Sequence, residues 1–361
     1  MKLVWATIGL LRTEAAGIQH FEVVLDDGST GVAIVYTGLV GRCATRERVL
    51  LNTTAVELAL GTGGTHFVVA RGTGEGIALD APSGGHIMKL RYTPLQHDVI
   101  AVESQESVHH AVMSEARSLD GQPVVCCGLH SQVPLVAAAI KHANPGATVA
   151  YCMTDQAALA GSLSEVVRAA RESGLIDTTI TCGQAFGGDL EAVNLHSGLL
   201  AARHVCDADV TIVAIGPGVV GTATPFGHGG VFQGEYINAV AALEGRPVAC
   251  LRVSFADARP RHRGVSHHTL AALSKVALAP AFVAVPTLPQ EYSDAIDSSL
   301  ESAGVWARHT RVQAQAGRSA PPSLRGIKVT TMGRGLAEDP AFFAAAFAAG
   351  EIASTLCDSV L

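Results

Sequence analysis

Between positions 257 and 268 the chain places Asp257, Arg259, Arg261, His262, Arg263, His267 and His268, interrupted by Pro260 and Gly264. Guanidinium groups clamp carboxylates or phosphates through paired N–H donors, and imidazoles titrate near neutrality. The segment therefore reads as an anion site with Arg259, Arg261 and Arg263 as ligands and His267 as a proton carrier. A solvated loop has the same composition, and a metal site including Asp257 or His267 is a third reading. No metal is assigned. Adjacent His267 and His268 project about 100° apart on a helix, and no HxH, HExxH or CxxC core accompanies them.

A second segment runs Gly216-Pro217-Gly218-Val219-Val220-Gly221-Thr222-Ala223-Thr224. Successive glycines let backbone amides turn toward an anion, so Gly216, Gly218, Gly221 and Thr222 are expected to cradle one. The spacing is not GxGxxG and no Walker lysine is present, so a simple tight loop remains open. The third segment, Gly187-Gly188-Asp189-Leu190-Glu191, sets two carboxylates at an expected helix start, with Asn194 one turn further. Asp189 is expected as a proton-moving group and Glu191 and Asn194 as ligand contacts, although capping the helix is the ordinary use of such an Asp. Asp155, just past an apolar run, carries the same two readings. His66 and His228 sit in Gly-rich loops as possible acids or bases. Ser131 lacks a GxSxG elbow, which leaves serine-hydrolase chemistry without support.

These segments need a scaffold, and the hydrophobic pattern supplies one. Six short β-rich runs (4–11, 19–25, 31–36, 48–52, 66–70 and 86–90) fill the first ninety or so residues. Turn signals at Asp27-Gly28, Gly61–Gly64 and Pro82–Gly85 separate them, which predicts a small N-terminal β-barrel-like domain over 1–95. From about residue 96, apolar runs alternate with helical stretches: strands over 99–103, 124–128, 148–153, 178–181, 209–215, 247–253, 281–285 and 305–312. Helices are expected over 108–117, 133–142, 157–172, 190–203, 234–243, 268–277 and 291–302. Alternation of this kind predicts a large three-layer α/β/α domain over 96–361 with a mostly parallel sheet. Ligands in such folds bind beyond the carboxyl ends of the strands, and every polar segment above follows an expected strand. A Gly/Ser/Pro-rich loop spans 316–325. An Ala/Phe-rich helix follows from Pro340, with Asp339 as cap; its Phe342, Phe343 and Phe347 are expected to dock on the body or on a second subunit.

Composition bounds the partners. The 361 residues are 48% hydrophobic and 16% charged, enough for a large core without disulfides or structural metal. A net charge of −7 argues against non-specific binding to nucleic acid or to an anionic membrane. No 18-residue apolar run and no signal-peptide pattern appear, so a soluble cytoplasmic protein is expected. The eight cysteines form no CxxC pair and sit in apolar runs, as buried thiols of a reducing compartment do. A homodimer is expected from the apolar tail.

Four strings together resemble an uncharacterised bacterial family, domain of unknown function 3866: Leu-Asn-Thr-Thr-Ala-Val-Glu-Leu at 51–58, Gly183 to Asn194, Gly216 to Thr222, and Gly264 to Thr269. The resemblance spans nearly the whole chain, from Val4 to the Ala-rich tail. It implies no reaction, substrate or cofactor, so it assigns no catalytic residue. In that family's pattern a glycine often stands where this chain has Ala223, and a Cβ there restricts positive φ. The reading of the residues themselves is an enzyme acting on a small anionic molecule, phosphorylated or nucleotide-like, with its cofactor unidentified. A non-catalytic metabolite-binding or regulatory module and a structural or assembly protein are the alternatives.

Overall fold

A computed structural model describes residues 1–59, 64–72, 84–314 and 322–358. They divide into two compact units, Met1–Val99 and Ile100–Leu361. Most of the turns expected at 61–64 and 82–85, and of the loop at 316–325, lies outside the described residues.

The first unit is a closed barrel. Strands β1 (Leu3–Ala15), β2 (Ile18–Leu25), β3 (Thr30–Tyr36), β4 (Arg48–Asn52) and β5 (Thr65–Arg71) close in the order β1-β2-β3-β5-β4, with one-turn helices α1 (Thr37–Val40) and α2 (Thr54–Glu57) in the connections. Side chains alternate across each strand. Ala6 and Ile8, Phe21 and Val23, Ala33 and Val35, and Val49 and Leu51 therefore fill one interior. Asp27-Gly28 turns β2 into β3, and Gly28 takes the φ of +87° that the turn needs. The sixth expected strand is not part of the barrel: β6 (Ile87–Lys89) pairs with β7 (His97–Val99) as a separate two-stranded sheet.

The second unit opens with α3 (His110–Glu115), and its sheet is built from β8 (Pro123–Cys127), β9 (Val149–Thr154), β10 (Thr178–Cys182), β11 (Leu190–Ala192), β12 (Val210–Ile215) and β13 (Arg246–Cys250). A short ladder of β14 (Val253–Ser254) and β15 (Gly264–Val265) stands apart, and β16 (Phe282–Val285) and β17 (Thr310–Gln313) complete the sheet. The order is β11-β10-β9-β12-β8-β13-β16-β17, and every neighbouring pair is parallel. β8, β9 and β12 are buried at every residue, which is why they read as unbroken apolar runs. Alternate residues feed two cores. Val125 and Cys127 join α4 (Val133–Ala143), α5 (Glu165–Glu172) and α10 (Pro340–Asp358) on one face. Val124 and Cys126 join α6 (Leu195–His204), α7 (Phe232–Ala242) and α9 (Gln290–Ser302) on the other, as does Leu273 just beyond α8 (His267–Ala271).

Three expectations are corrected here. Of the strand expected over 99–103 only Val99 is in a strand, as the end of β7, and residues 100–103 contribute a single bridge, Ala101 to Glu191. The helix expected over 157–172 begins only at Glu165, where the Ser164 hydroxyl caps it by accepting from Val167 N. The helix expected over 190–203 is first a strand, β11, and then α6, because Asn194 supplies the cap by accepting from Ser197 N. In α10, Phe342, Phe343 and Phe347 are all buried within the domain, so they supply no face for a second subunit. α10 is also the one helix among the described residues long and apolar enough to cross a membrane, and 67% of it is buried here.

The connections fix where a site can form. β8 and β9 lead to α4 and α5 on one face, whereas β12 and β13 lead to α7 and α8 on the other. Neighbouring strands whose loops part to opposite faces leave a crevice at their carboxyl ends, here around β12, β8 and β13.

Candidate functional site

The loop after β13 is pinched at its neck. The β14–β15 ladder pairs Val253 with Val265, Ser266 N donates to Arg252 O (2.9 Å), and Arg252 N donates to Thr269 Oγ1 (3.2 Å). This closure brings Arg252, at the end of β13, against the start of α8, where its Nη1 donates to His268 Nδ1 at 3.2 Å. Ser266 caps α8 by accepting from His268 N, and its hydroxyl is hydrogen-bonded to His262 Nδ1 at 2.8 Å. The loop after β12 delivers a further histidine. It folds back on itself through a bridge between Gly221 and His228 and stacks the His228 ring on His268, centroids 3.7 Å apart and 6° from parallel.

Four imidazoles are thereby gathered. His267 lies edge-on to His228 (5.1 Å, 73°) and to His268 (4.4 Å, 68°), and His262 stands 5.0 and 4.9 Å from His267 and His268. Gly230 permits this packing, since a Cβ there would lie 2.7 Å from His268 Cβ. Burial holds all four neutral, helped by the neighbouring cations. His268 falls to about 2 through burial and then His228, and His262 to about 3 through burial and then Arg252; His228 and His267 are lowered as well. The Arg252 guanidinium, pulled down to about 10 by burial and the nearby Arg259, lies among them.

Beneath the rings runs a buried ionic network. Asp257 is gripped by Arg259 through two bonds (2.9 and 2.7 Å), which hold its carboxyl far below the usual range, and it also faces Arg334 at 3.6 Å. Arg334 Nε donates to Asp339 (3.1 Å), whose other donor is Ser254 Oγ (2.7 Å). The Asp339 carboxylate thus serves this network instead of capping α10.

The family described as "Protein of unknown function (DUF3866)" matches residues 32–350, which take in the barrel from β3 onward and nearly all of the α/β domain. The chain belongs to this family. No curated protein and no solved structure matches it. The DUF3866 fold is therefore read from its own geometry.

In this DUF3866 chain the residues singled out from sequence part into two places. Asp189, Glu191 and Asn194 close the β10–β11–α6 connection. Asp189 accepts from Thr179 N (2.7 Å), Thr179 Oγ1 (2.8 Å) and Arg171 (2.9 Å), near the amino end of β10. Glu191 accepts from Thr181 Oγ1 and Gly187 N (both 2.7 Å). Three strands separate β10 from β13, roughly 19 Å at the usual strand spacing. Asp189 and His267 therefore do not share a proton, which needs contact near ~3 Å. Asp155 does lie at a carboxyl end, beside the β12 loop, where it ties Gln184 N (2.8 Å) and Gln156 (2.8 Å).

In the glycine loop the threonine groups expected to help cradle an anion are bonded within the loop. Thr222 N and Oγ1 both donate to Gly227 O, and Thr224 Oγ1 accepts from Gly227 N, so these hydroxyls close the hairpin on itself. Gly216 is needed for a different reason: a Cβ there would stand 2.3 Å from Ala158 O. Ala223 adopts a φ of +63° despite its Cβ, which completes the tight turn. What the loop presents to the site is His228. Of the three expected arginine ligands, Arg259 is committed to Asp257 and Arg263 is exposed, while Arg261 is exposed yet close enough to act on His267. Sequence reading missed Arg252 and Arg334. The signal for Arg252 was available, a charged residue directly after the apolar run Val248-Ala249-Cys250-Leu251.

A fifth histidine lies beyond the carboxyl end of the neighbouring strand β8. His130, just after β8, accepts from Ser164 Oγ at Nε2 (2.6 Å) and donates from Nδ1 to Ile215 O (3.2 Å). Burial pushes it down to about 4. The eight cysteines are free thiols, six of them buried.

Proposed function

We propose that this chain is an enzyme acting on a small anionic metabolite, phosphorylated or nucleotide-like, bound where the β12 and β13 loops meet. The observation that supports the reading is Arg252. Arg252 is 6% exposed and, among the described residues, makes no ion pair with a carboxylate; Asp257 acts on it only at longer range, and Arg259 and Arg334 already occupy Asp257 and Asp339. A buried charge without a counter-ion costs several kcal/mol, and a bound anion removes that cost. Arg261, exposed at the rim, adds attraction without desolvation. The enzyme is favoured over a passive binder by His267, whose buried Nε2 has no protein partner and stands among these cations. A lone pair beside an anion-holding arginine is what a proton-transfer step requires.

The test is calorimetric titration with inorganic phosphate and a nucleoside monophosphate. Arg252→Met is expected to weaken binding by about 30-fold, the value of one charge-assisted contact near 2 kcal/mol. Arg261→Ala is expected to weaken it by only about threefold. Without ligand, Arg252→Met is expected to be no less stable than wild type, since it removes an uncompensated charge. Equal phosphate affinity in wild type and Arg252→Met would overturn the reading.

A further inference from the structure

We propose that His228, His267 and His268 form a site for one divalent first-row transition-metal ion, with zinc the best match to three imidazoles. The inference stands on two nitrogens. His228 Nε2 donates to Pro225 O at 3.0 Å, which leaves Nδ1 as a bare lone pair that is buried and without a partner. His267 Nε2 is likewise buried and without a partner. A backbone carbonyl that fixes the tautomer of a histidine while its other nitrogen points inward is the usual support for a metal ligand. One ligand atom from each of the three residues lies within 4.8 Å of the others. Zinc–nitrogen bonds near 2.0–2.1 Å set tetrahedral donors about 3.3 Å apart, so the rings must close by roughly 1.5 Å at most.

Ring orientation says how they close. The His267 plane crosses both partners steeply, an angle at which in-plane lone pairs of two rings are able to meet at one ion. His228 and His268 are stacked almost parallel, and lone pairs in parallel planes do not meet at one ion. His268 must tilt. It must also lose its bond from Arg252, because while Nδ1 accepts that bond, Nε2 carries the proton. The ion and Arg252 thus compete for His268, and binding the ion frees the guanidinium. His262 stays outside, its Nδ1 held by Ser266. With the ion bound, His267 acts as a ligand and not as a proton carrier. The site itself does not depend on the anion reading; only the release of Arg252 toward an anion does.

Metal-stripped full-length protein, titrated with zinc chloride alone, is expected to take up one ion per chain. With cobalt chloride it is expected to develop the visible absorption of a tetrahedral nitrogen site. His228→Ala and His267→Ala are each expected to weaken zinc binding more than about 100-fold, beyond the loss typical of an outer-shell partner. Arg252→Met is expected to hold zinc at least as tightly as wild type while losing phosphate, which separates this site from the anion reading. A second measurement needs no variant: zinc is expected to protect His228 and His267 of the wild type from diethylpyrocarbonate, read by peptide mass spectrometry. Uptake well below one ion, an ion retained by the His228→Ala/His267→Ala double variant, or equal labelling with and without zinc would each overturn the site. Loss of zinc by folded Arg252→Met would overturn the assignment of His268.

Discussion

Two pairs of histidines in the α/β domain differ in what their second nitrogen does. His309 accepts from Ala281 N (3.1 Å) and donates to Leu273 O (2.8 Å), and His130 bridges Ser164 and Ile215 in the same complete way. His228 and His267 each leave a buried nitrogen without a protein partner. The first pair spends its polarity on joining elements of the fold. The second pair carries a desolvation cost that the fold does not offset, which is how residues kept for a ligand differ from residues kept for stability. The same division separates the two acidic–basic clusters. Asp189 is occupied by Thr179 and Arg171, whereas Arg252 is buried with no carboxylate paired to it.

The largest effect that sharpens this contrast is on stability. His309→Ala leaves an amide and a carbonyl buried and unpaired around a cavity, so urea unfolding is expected to show a loss of about 3 kcal/mol. His267→Phe keeps the ring volume and removes an unpartnered nitrogen, so its change is expected to stay within about 1 kcal/mol. Equal losses would break the comparison. Acid gives a second handle. Because the folded-state pKa of His130 is depressed to about 4, the unfolded chain takes up the proton first as pH falls. Stability from this group is complete above the ordinary histidine value near 6.5 and is lost as pH falls from there to about 4, by roughly 3 kcal/mol. Unfolding free energies measured between pH 7 and 4 are expected to fall less steeply in His130→Gln. An unchanged slope would show that His130 is already charged in the fold.

Most of the architecture was legible because it rests on local pattern. Fully buried strands such as Val149–Thr154 are unbroken apolar runs, and Asp27-Gly28 marks a hairpin by φ alone. The failures share a cause. Leu190–Ala192 has the composition of a helix start, and only its pairing with β10, a long-range contact, makes it a strand. The site was half legible for the same reason. Position after a strand located the loops at 216–224 and 257–268, but the partner of each side chain depends on how those loops meet. Adjacent His267 and His268 looked unable to serve one ion, and only the fold brings a ligand atom of His228, from a loop about forty residues earlier, within 4.8 Å of theirs. Arg259 looked like a ligand clamp, and Asp257, two residues away, uses it up. Arg252 looked like the end of a strand, and the β14–β15 pinch turns it inward.

The smallest predicted effect tests the other side of the division. Asp189 was expected from the sequence to move a proton, and its geometry makes it a brace between Thr179, Arg171 and the turn before β11. Its side chain is 42% exposed, so water screens the Arg171 pair and the loss on Asp189→Ala is expected to be only about 1 kcal/mol, mostly from the Thr179 amide. Affinity for phosphate and for zinc is expected to stay within about twofold of wild type, because neither the β12 loop nor the β13 loop touches this brace. Calorimetry on the folded variant decides it. A loss of tenfold or more in either affinity would mean that the carboxylate reaches the histidines through a movement of the β10–β11 connection, and the two regions would then be one site.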